Sequence, residues 1–428
     1  MRMSEMPPKH SKPPEKEPKP FEEERRDNEE RWENKAKAIN KKLREELPHG
    51  EGFAIPNEEL VTGEDLMLQE ALRDHADFEK RQHIEFKEWQ KGLRVVISNF
   101  VERATNPESK RRTLIFIQGG GMKSANTAGR VIGLNMIGLT ADKVDAVGGA
   151  SGGTVSATEY VAGPEETVKG AAMLTGPLAS GEFINTGISR VGETVKLAMV
   201  KELLEAGEFK LDEEAIRKSK TELFYVVTLP VQGKNDPEVR FLDAKRLDSM
   251  ADGIVSSMSI PFATGKIPKI NGITYFDGGF APLPIDQLIE HFNPTDILVL
   301  SPDSFETVDN IKPTPAESTI ATLAGAASLN QLEKALTLKQ QWRRDLERVQ
   351  KIKNVNIGMM WGIETGITSI TTDGPDLDAA VRATAWDTVK QLSDVAKQLK
   401  IKLPTKMPRY ISKAHKTEGE SEELKKAA

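Results

Sequence analysis

The stretch that decides the fold is Val144-Asp145-Ala146-Val147-Gly148-Gly149-Ala150-Ser151-Gly152-Gly153-Thr154-Val155-Ser156-Ala157-Thr158-Glu159-Tyr160. A short apolar run enters a glycine cluster, and a helix-like segment leaves it. That is the context of a sharp strand-to-helix turn that exposes a serine hydroxyl, a nucleophile elbow. Gly149 and Gly153 flank the turn, where side chains would collide with the neighbouring strand or helix. Gly152 is expected to let a substrate approach closely. The helix after the turn directs its N-terminal dipole at Ser151 and favours negative charge there. A plain tight turn between strand and helix has the same local sequence, so the stretch needs partners.

A second glycine cluster lies upstream in Gln118-Gly119-Gly120-Gly121-Met122-Lys123-Ser124. It follows the apolar run Thr113-Leu114-Ile115-Phe116-Ile117 and opens a helix through Val131-Ile132-Gly133-Leu134. A phosphate-binding loop needs glycine before its lysine, and Met122 stands there. A dinucleotide fingerprint fails because Ser124 takes its last glycine position and no acid ends a second strand. The remaining functional reading is a loop whose backbone N–H groups on Gly119, Gly120 and Gly121 face a developing oxyanion. Lys123 then steadies that loop through carbonyl contacts or stays solvated.

A serine nucleophile needs a proton acceptor. Only His291 and His415 follow Ser151. His291 falls on a helix before a strand and His415 in a charged tail, neither the late loop that a Ser-acid-His order requires. The better candidate is Asp277 in Tyr275-Phe276-Asp277-Gly278-Gly279-Phe280. It ends a strand, and Gly278 and Gly279 clear space around it. A carboxylate in a partly apolar site has a raised pKa and accepts a serine proton directly. An ordinary Asp-Gly turn is the competing explanation.

These three motifs, in this order, resemble the patatin-like phospholipase family, whose pattern is Asp-Gly-Gly-Gly-x-Arg-Gly, then Gly-x-Ser-x-Gly, then Asp-Gly-Gly or Asp-Gly-Ala. Ser257-Met258-Ser259-Ile260-Pro261-Phe262 is also similar to the family's Ser/Ala-rich, proline-containing segment. The resemblance covers roughly residues 110 to 400. It implies a three-layer α/β/α fold with a mostly parallel central sheet and a Ser-Asp dyad without histidine. It also implies lipid acyl hydrolysis at a membrane surface, with no cofactor and no catalytic metal. Carried over, Ser151 is the nucleophile, Asp277 the general base, and Gly119–Gly121 the oxyanion donors. The chain departs from the pattern at Gln118, Lys123 and Ser124. Lysine keeps arginine's charge but loses its planar fork. Two other readings stand beside this one: a membrane- or partner-binding protein on the same scaffold with little turnover, and a Ser-His-Asp esterase using His291.

The rest of the chain bounds these readings. It has 428 residues, 38% hydrophobic and 29% charged, a balance that a long solvated region produces. Residues 1–50 read as a disordered or charged helical segment, with Trp32 among Glu, Arg and Lys and a stop at Pro48-His49-Gly50. Residues 51–108 read as a helical extension. There Phe78, Phe86, Trp89, Leu93, Val96, Ile97 and Phe100 form one apolar stripe. Such a stripe packs on the catalytic domain or, alternatively, on a membrane or partner. Residues 109–405 alternate strand and helix, the pattern of a parallel sheet covered on both faces. Residues 406–428 form a charged tail.

A net charge of -6 gives no support for nucleic-acid binding. There is no cysteine for disulfides, thiolate metal sites or nucleophiles. The first residues have no apolar core of a signal peptide, and no run reaches the ~18 apolar residues of a membrane span. A cytoplasmic location or peripheral membrane contact is therefore expected.

Overall fold

The computed structural model describes residues 85–106, 108–185, 194–229, 237–261, 263–305, 342 and 345–398. The chain divides into two units, Met1–Glu70 and Ala71–Ala428, and every described residue belongs to the second. The expectations for residues 1–84 and for the tail lie outside the described residues.

In chain order the elements are helix α1 (Glu85–Thr105), strand β1 (Thr113–Ile117), α2 (Ser124–Met136), β2 (Ala146–Ala150), α3 (Gly153–Ala162) and α4 (Pro164–Thr175). Then come α5 (Leu197–Glu205), α6 (Glu213–Lys218), β3 (Glu222–Leu229), β4 (Glu238–Asp243) and α7 (Met250–Ser257). The last group is β5 (Lys269–Ile270), β6 (Ile273–Thr274), β7 (Phe276–Asp277), α8 (Ile285–Phe292), β8 (Asp296–Leu300), β9 (Asn356–Met360) and α9 (Gly374–Gln398).

The main sheet runs β4-β3-β2-β1-β8-β9, with β7 also on β3. β3, β2, β1, β8 and β9 are parallel, while β4 and β7 run antiparallel to β3. Every residue of β1, β2 and β8 is buried, as continuous apolar runs demand of strands covered on both faces. Side chains alternate between two cores. Ile115, Ile117, Val147 and Leu298 face one that α2, α3, α7 and α9 complete. Leu114, Phe116, Val226 and Val299 face the other, with α8 and Trp342. The architecture is therefore α/β with helices on both faces of a mostly parallel sheet. From β1 the chain moves to β2 on one side, and β8 later takes the other side. Ligands bind at the carboxyl ends of strands at such a reversal.

The apolar stripe of α1 packs inward. Trp89, Val96, Ile97, Phe100 and Val101 are buried, and the helix lies on β8 and β9. A Cβ placed on Gly92 would sit 2.7 Å from the Ile357 carbonyl oxygen. This close approach covers β9, the last strand of the described sheet, as exposed sheet edges require.

The α2–α9 contact is equally close. Leu377, Val381, Ala385, Val389 and Leu392 of α9 are buried. Arg130 on α2, with no exposed surface, pairs with Asp387 and donates to Thr388 Oγ1 at 3.0 Å and to the Trp361 carbonyl. A Cβ at Gly129 would lie 1.9 Å from Thr384 Oγ1.

Two expectations need correction. Ile273–Asp277 reads as one strand but forms two. Asn271 and Gly272, with φ of 53° and 80°, make the tight turn of a β5–β6 hairpin, and β7 leaves it to join β3. The Gly- and Ala-rich 163–220 region reads as loops, yet α4, α5 and α6 lie within it. Its helices bury Met173, Leu197, Val200, Leu204 and Ile216.

Because no side chain fits between α2 and α9 at Gly129, Gly129→Ala is expected to destabilise the protein by about 1–3 kcal/mol. A lowered urea midpoint checks this. An unchanged midpoint would show that this contact does not fix the helix separation.

Candidate active site

The site forms where β2 ends. In a parallel ladder each strand offers alternate rungs, and the Glu222 N–H donates to the Asp145 carbonyl. With Ala150 opposite Val226, the next rung would run from the Ser151 N–H to the Val226 carbonyl. That rung is not made directly. The chain turns away at Ser151, whose φ of 50° is left-handed and costly for a residue with a Cβ. The turn closes by hydrogen bonds from Thr154 N (2.9 Å) and Thr154 Oγ1 to the Ser151 carbonyl. Gly149 and Gly153 permit it, since a Cβ at either would lie within 2.6 Å of a backbone oxygen.

The edge of β3 that β2 vacates is taken by β7. Val227, the residue after Val226, pairs with Asp277. The register thereby delivers Asp277 beside Ser151 across 126 residues of chain, and the Ser151 hydroxyl donates to Asp277 Oδ2 at 2.8 Å. The second carboxyl oxygen accepts from the Gly279 N–H at 2.6 Å. The Asp277 N–H donates to the Ser259 carbonyl at 2.8 Å. Gly278 fits against β3, where a Cβ would lie 2.2 Å from the Val226 carbonyl oxygen. Asp277 is 4% exposed. Burial pushes its carboxyl up to about 6, against the downward pull of the Gly279 N–H and the Ser151 hydroxyl.

The upstream glycine loop leaves the end of β1 and lies against the serine. A Cβ at Gly119 would be 2.3 Å from the Ser151 Cβ. Gly121 has φ of 59°, and a Cβ there would be 2.5 Å from the Ser369 carbonyl oxygen. That same carbonyl accepts the Met122 N–H at 3.0 Å, and Gln118 N is satisfied by Leu300. Among the described residues no acceptor meets the N–H of Gly119, Gly120 or Gly121. Lys123 is neither solvated nor held by carbonyls alone. Its Nζ lies 2.8 Å from Asp303 Oδ1, just past the end of β8. Gly152 lines the same cavity as Ser151. A Cβ there would be 2.3 Å from Ser124 Oγ, so its bareness makes room for the serine that departs from the family pattern.

Ser151, Asp277 and the loop open on one cavity of about 410 Å³, within the range of small-molecule sites. Its wall is mostly apolar and includes Met173, Leu174, Leu178, Phe183, Ile184 and Leu197. His291 does not line it. Its ring packs against Phe241 and Phe292 on the other core, with centroids 5.1 and 4.6 Å away. His415 lies outside the described residues. Among the described residues no group of three or more His, Asp or Glu side chains is placed to hold a metal, and no helix is long and apolar enough to cross a membrane.

Sequence reasoning missed three contributors. Asp303 and Ser369 reach the glycine loop from distant loops with no local signal. Ser257, quoted only as part of a motif, accepts the Ser151 N–H at 3.0 Å.

No family model matches the chain, and no curated protein matches it. Among solved structures, VipD from Legionella pneumophila is 12% identical over 67% of this chain and 67% of its own, with a TM-score of 0.34. The complex of full-length SpcU with full-length ExoU, from the type III secretion system of Pseudomonas aeruginosa, contains a match at 13% identity. It covers 55% of this chain and 53% of that one, with a TM-score of 0.22. Likenesses this distant carry no argument, and the case for an activity rests on the chain's own geometry.

The raised carboxyl has a consequence for stability that does not depend on any activity. A folded pKa of about 6 lies above the ordinary aspartate value of about 3.9. The native state therefore favours the protonated acid, and stability is lost as pH rises through about 6. Asp277→Asn is expected to raise the urea midpoint at pH 8 and to leave it nearly unchanged below about pH 4, where both states are neutral. Equal midpoints at pH 8 would show that the buried carboxylate costs nothing.

Proposed function

We propose that this chain is a serine acyl hydrolase of patatin-like type that cleaves acyl esters of lipids, of the phospholipase A or lysophospholipase kind. The observation that carries the reading is the 2.8 Å hydrogen bond from Ser151 Oγ to a buried carboxylate, at the wall of an apolar cavity and beside three unpaired backbone donors. The three features have separate uses in acyl transfer, and a tight structural turn needs none of them together.

In the proposed reaction the acyl chain lies along the apolar wall and its carbonyl carbon meets Ser151 Oγ. The Oγ–C bond forms as the hydroxyl proton passes to Asp277 Oδ2. Negative charge moves to the carbonyl oxygen, which takes hydrogen bonds from the Gly119–Gly121 amides. Removing one such donor typically costs about 10²–10³ in rate. Collapse breaks the ester C–O bond, and the leaving alcohol takes the proton from Asp277. Water then attacks the acyl-enzyme and gives a proton to Asp277, which returns it to Ser151 as the fatty acid departs.

A carboxyl with a pKa of about 6 suits this work, being ionised at neutral pH yet basic enough to accept a proton in the transition state. Gly279 holds the carboxyl from the far side, as the third group of a triad holds its base. The Lys123–Asp303 pair supports the glycine loop without arginine's fork.

Fatty-acid release from phospholipid vesicles tests the reading. Ser151→Ala and Asp277→Asn are each expected to lower the rate by about 10⁴-fold or more. Wild-type kcat/KM should fall tenfold per pH unit below about 6, because the base must be ionised to act. Activity that survives Ser151→Ala, or that is flat from pH 7 to pH 5, would contradict it.

A further inference from the structure

Ser257 stands at the last position of α7 and has no exposed surface. Its hydroxyl occupies the missing rung between β2 and β3. The oxygen accepts the Ser151 N–H at 3.0 Å, and the hydroxyl donates to the Val226 carbonyl at 2.5 Å. Those are the two groups that a continued parallel ladder would have joined directly. One side chain thus replaces one backbone hydrogen bond with a relay of two, Ser151 N–H to Ser257 Oγ to the Val226 carbonyl.

We infer that Ser257 is a positioning residue for the nucleophile, acting through the Ser151 backbone, an inference that rests on the acyl-hydrolase reading above. A direct rung would keep Ser151 in the strand and draw β2 along the β3 edge that β7 needs. Inserting a hydroxyl lets β2 part from β3 after Ala150 while both polar groups stay satisfied. Val227 is then left for Asp277, and Ser151 is left in its left-handed turn. Without the hydroxyl, a part-buried N–H and a buried carbonyl both lack a partner, and each unmet group opposes the observed turn. The turn then shifts toward the strand or toward solvent, and the 2.8 Å contact with Asp277 loosens. A displacement of about 1 Å at a reacting centre costs about 10² in rate.

The neighbouring Ser256 supplies the control. It too has no exposed surface, and its hydroxyl meets no partner among the described residues. Both residues lose the same atom on mutation to alanine, but only Ser257 touches the nucleophile's backbone.

The test is steady-state hydrolysis of a short-chain nitrophenyl ester by the full chain. Ser257→Ala is expected to lower kcat by about 10- to 100-fold, with KM within about twofold, while Ser256→Ala keeps the wild-type kcat. If Ser257→Ala does not fold, Ser257→Cys keeps the volume, weakens both hydrogen bonds and carries the same expectation. A Ser257 variant with wild-type kcat, a loss confined to KM, or an equal loss in Ser256→Ala would overturn the positioning role and leave the acyl-hydrolase reading standing. A wild-type protein that hydrolyses neither this ester nor phospholipid would overturn both.

Discussion

The arrangement depends on how one edge of β3 is shared. β2 occupies that edge up to Ala150 opposite Val226, and β7 occupies it from Val227 onward. Two strands cannot hold the same rung, so β2 has to leave the sheet where β7 enters. The departure forces the left-handed turn at Ser151, and the arrival sets Asp277 against it. The pairing of a hydroxyl with a carboxylate is thus a consequence of sheet register, which is stiff, rather than of loop conformation, which is not. The carboxyl ends of β1 and β8 then supply the glycine loop and Asp303 to the same place.

Two features at this junction cost stability. A non-glycine residue sits at positive φ, and a carboxyl is buried where burial opposes its charge. Each is unfavourable by about 1–3 kcal/mol. They persist because the surroundings are closely packed. Arg130 is buried between α2 and α9, where its terminal nitrogens meet Asp387, Thr388 and the Trp361 carbonyl, and two separate hydrophobic cores grip the sheet from either side.

Much of this was legible in the sequence, for physical reasons that differ by element. β1, β3 and β8 announce themselves because strands buried on both faces are apolar throughout. Ser151 and Asp277 are legible because tight strand ends require glycine at fixed offsets, and those offsets are local. The α1 stripe is legible because a helix packed on a sheet repeats its apolar residues every three to four positions. What was hidden is long-range or weakly patterned. The carboxylate partner of Lys123 lies 180 residues away. The Asn271-Gly272 turn carried a hairpin signal, yet the apolar run beyond it read as continuous with Asp277. The helices between residues 163 and 220 are short, and the glycines and alanines around them mask the helical spacing of Leu197, Val200 and Leu204. The contact of Gly152 with Ser124 is likewise long-range.

The most direct test of the central claim is covalent. Incubation with a fluorophosphonate, followed by peptide mass mapping, reports which hydroxyl is activated. The account predicts one adduct, on Ser151, that forms far more slowly in Asp277→Asn. An adduct on another residue, or ester hydrolysis that continues with Ser151 unmodified, would contradict it.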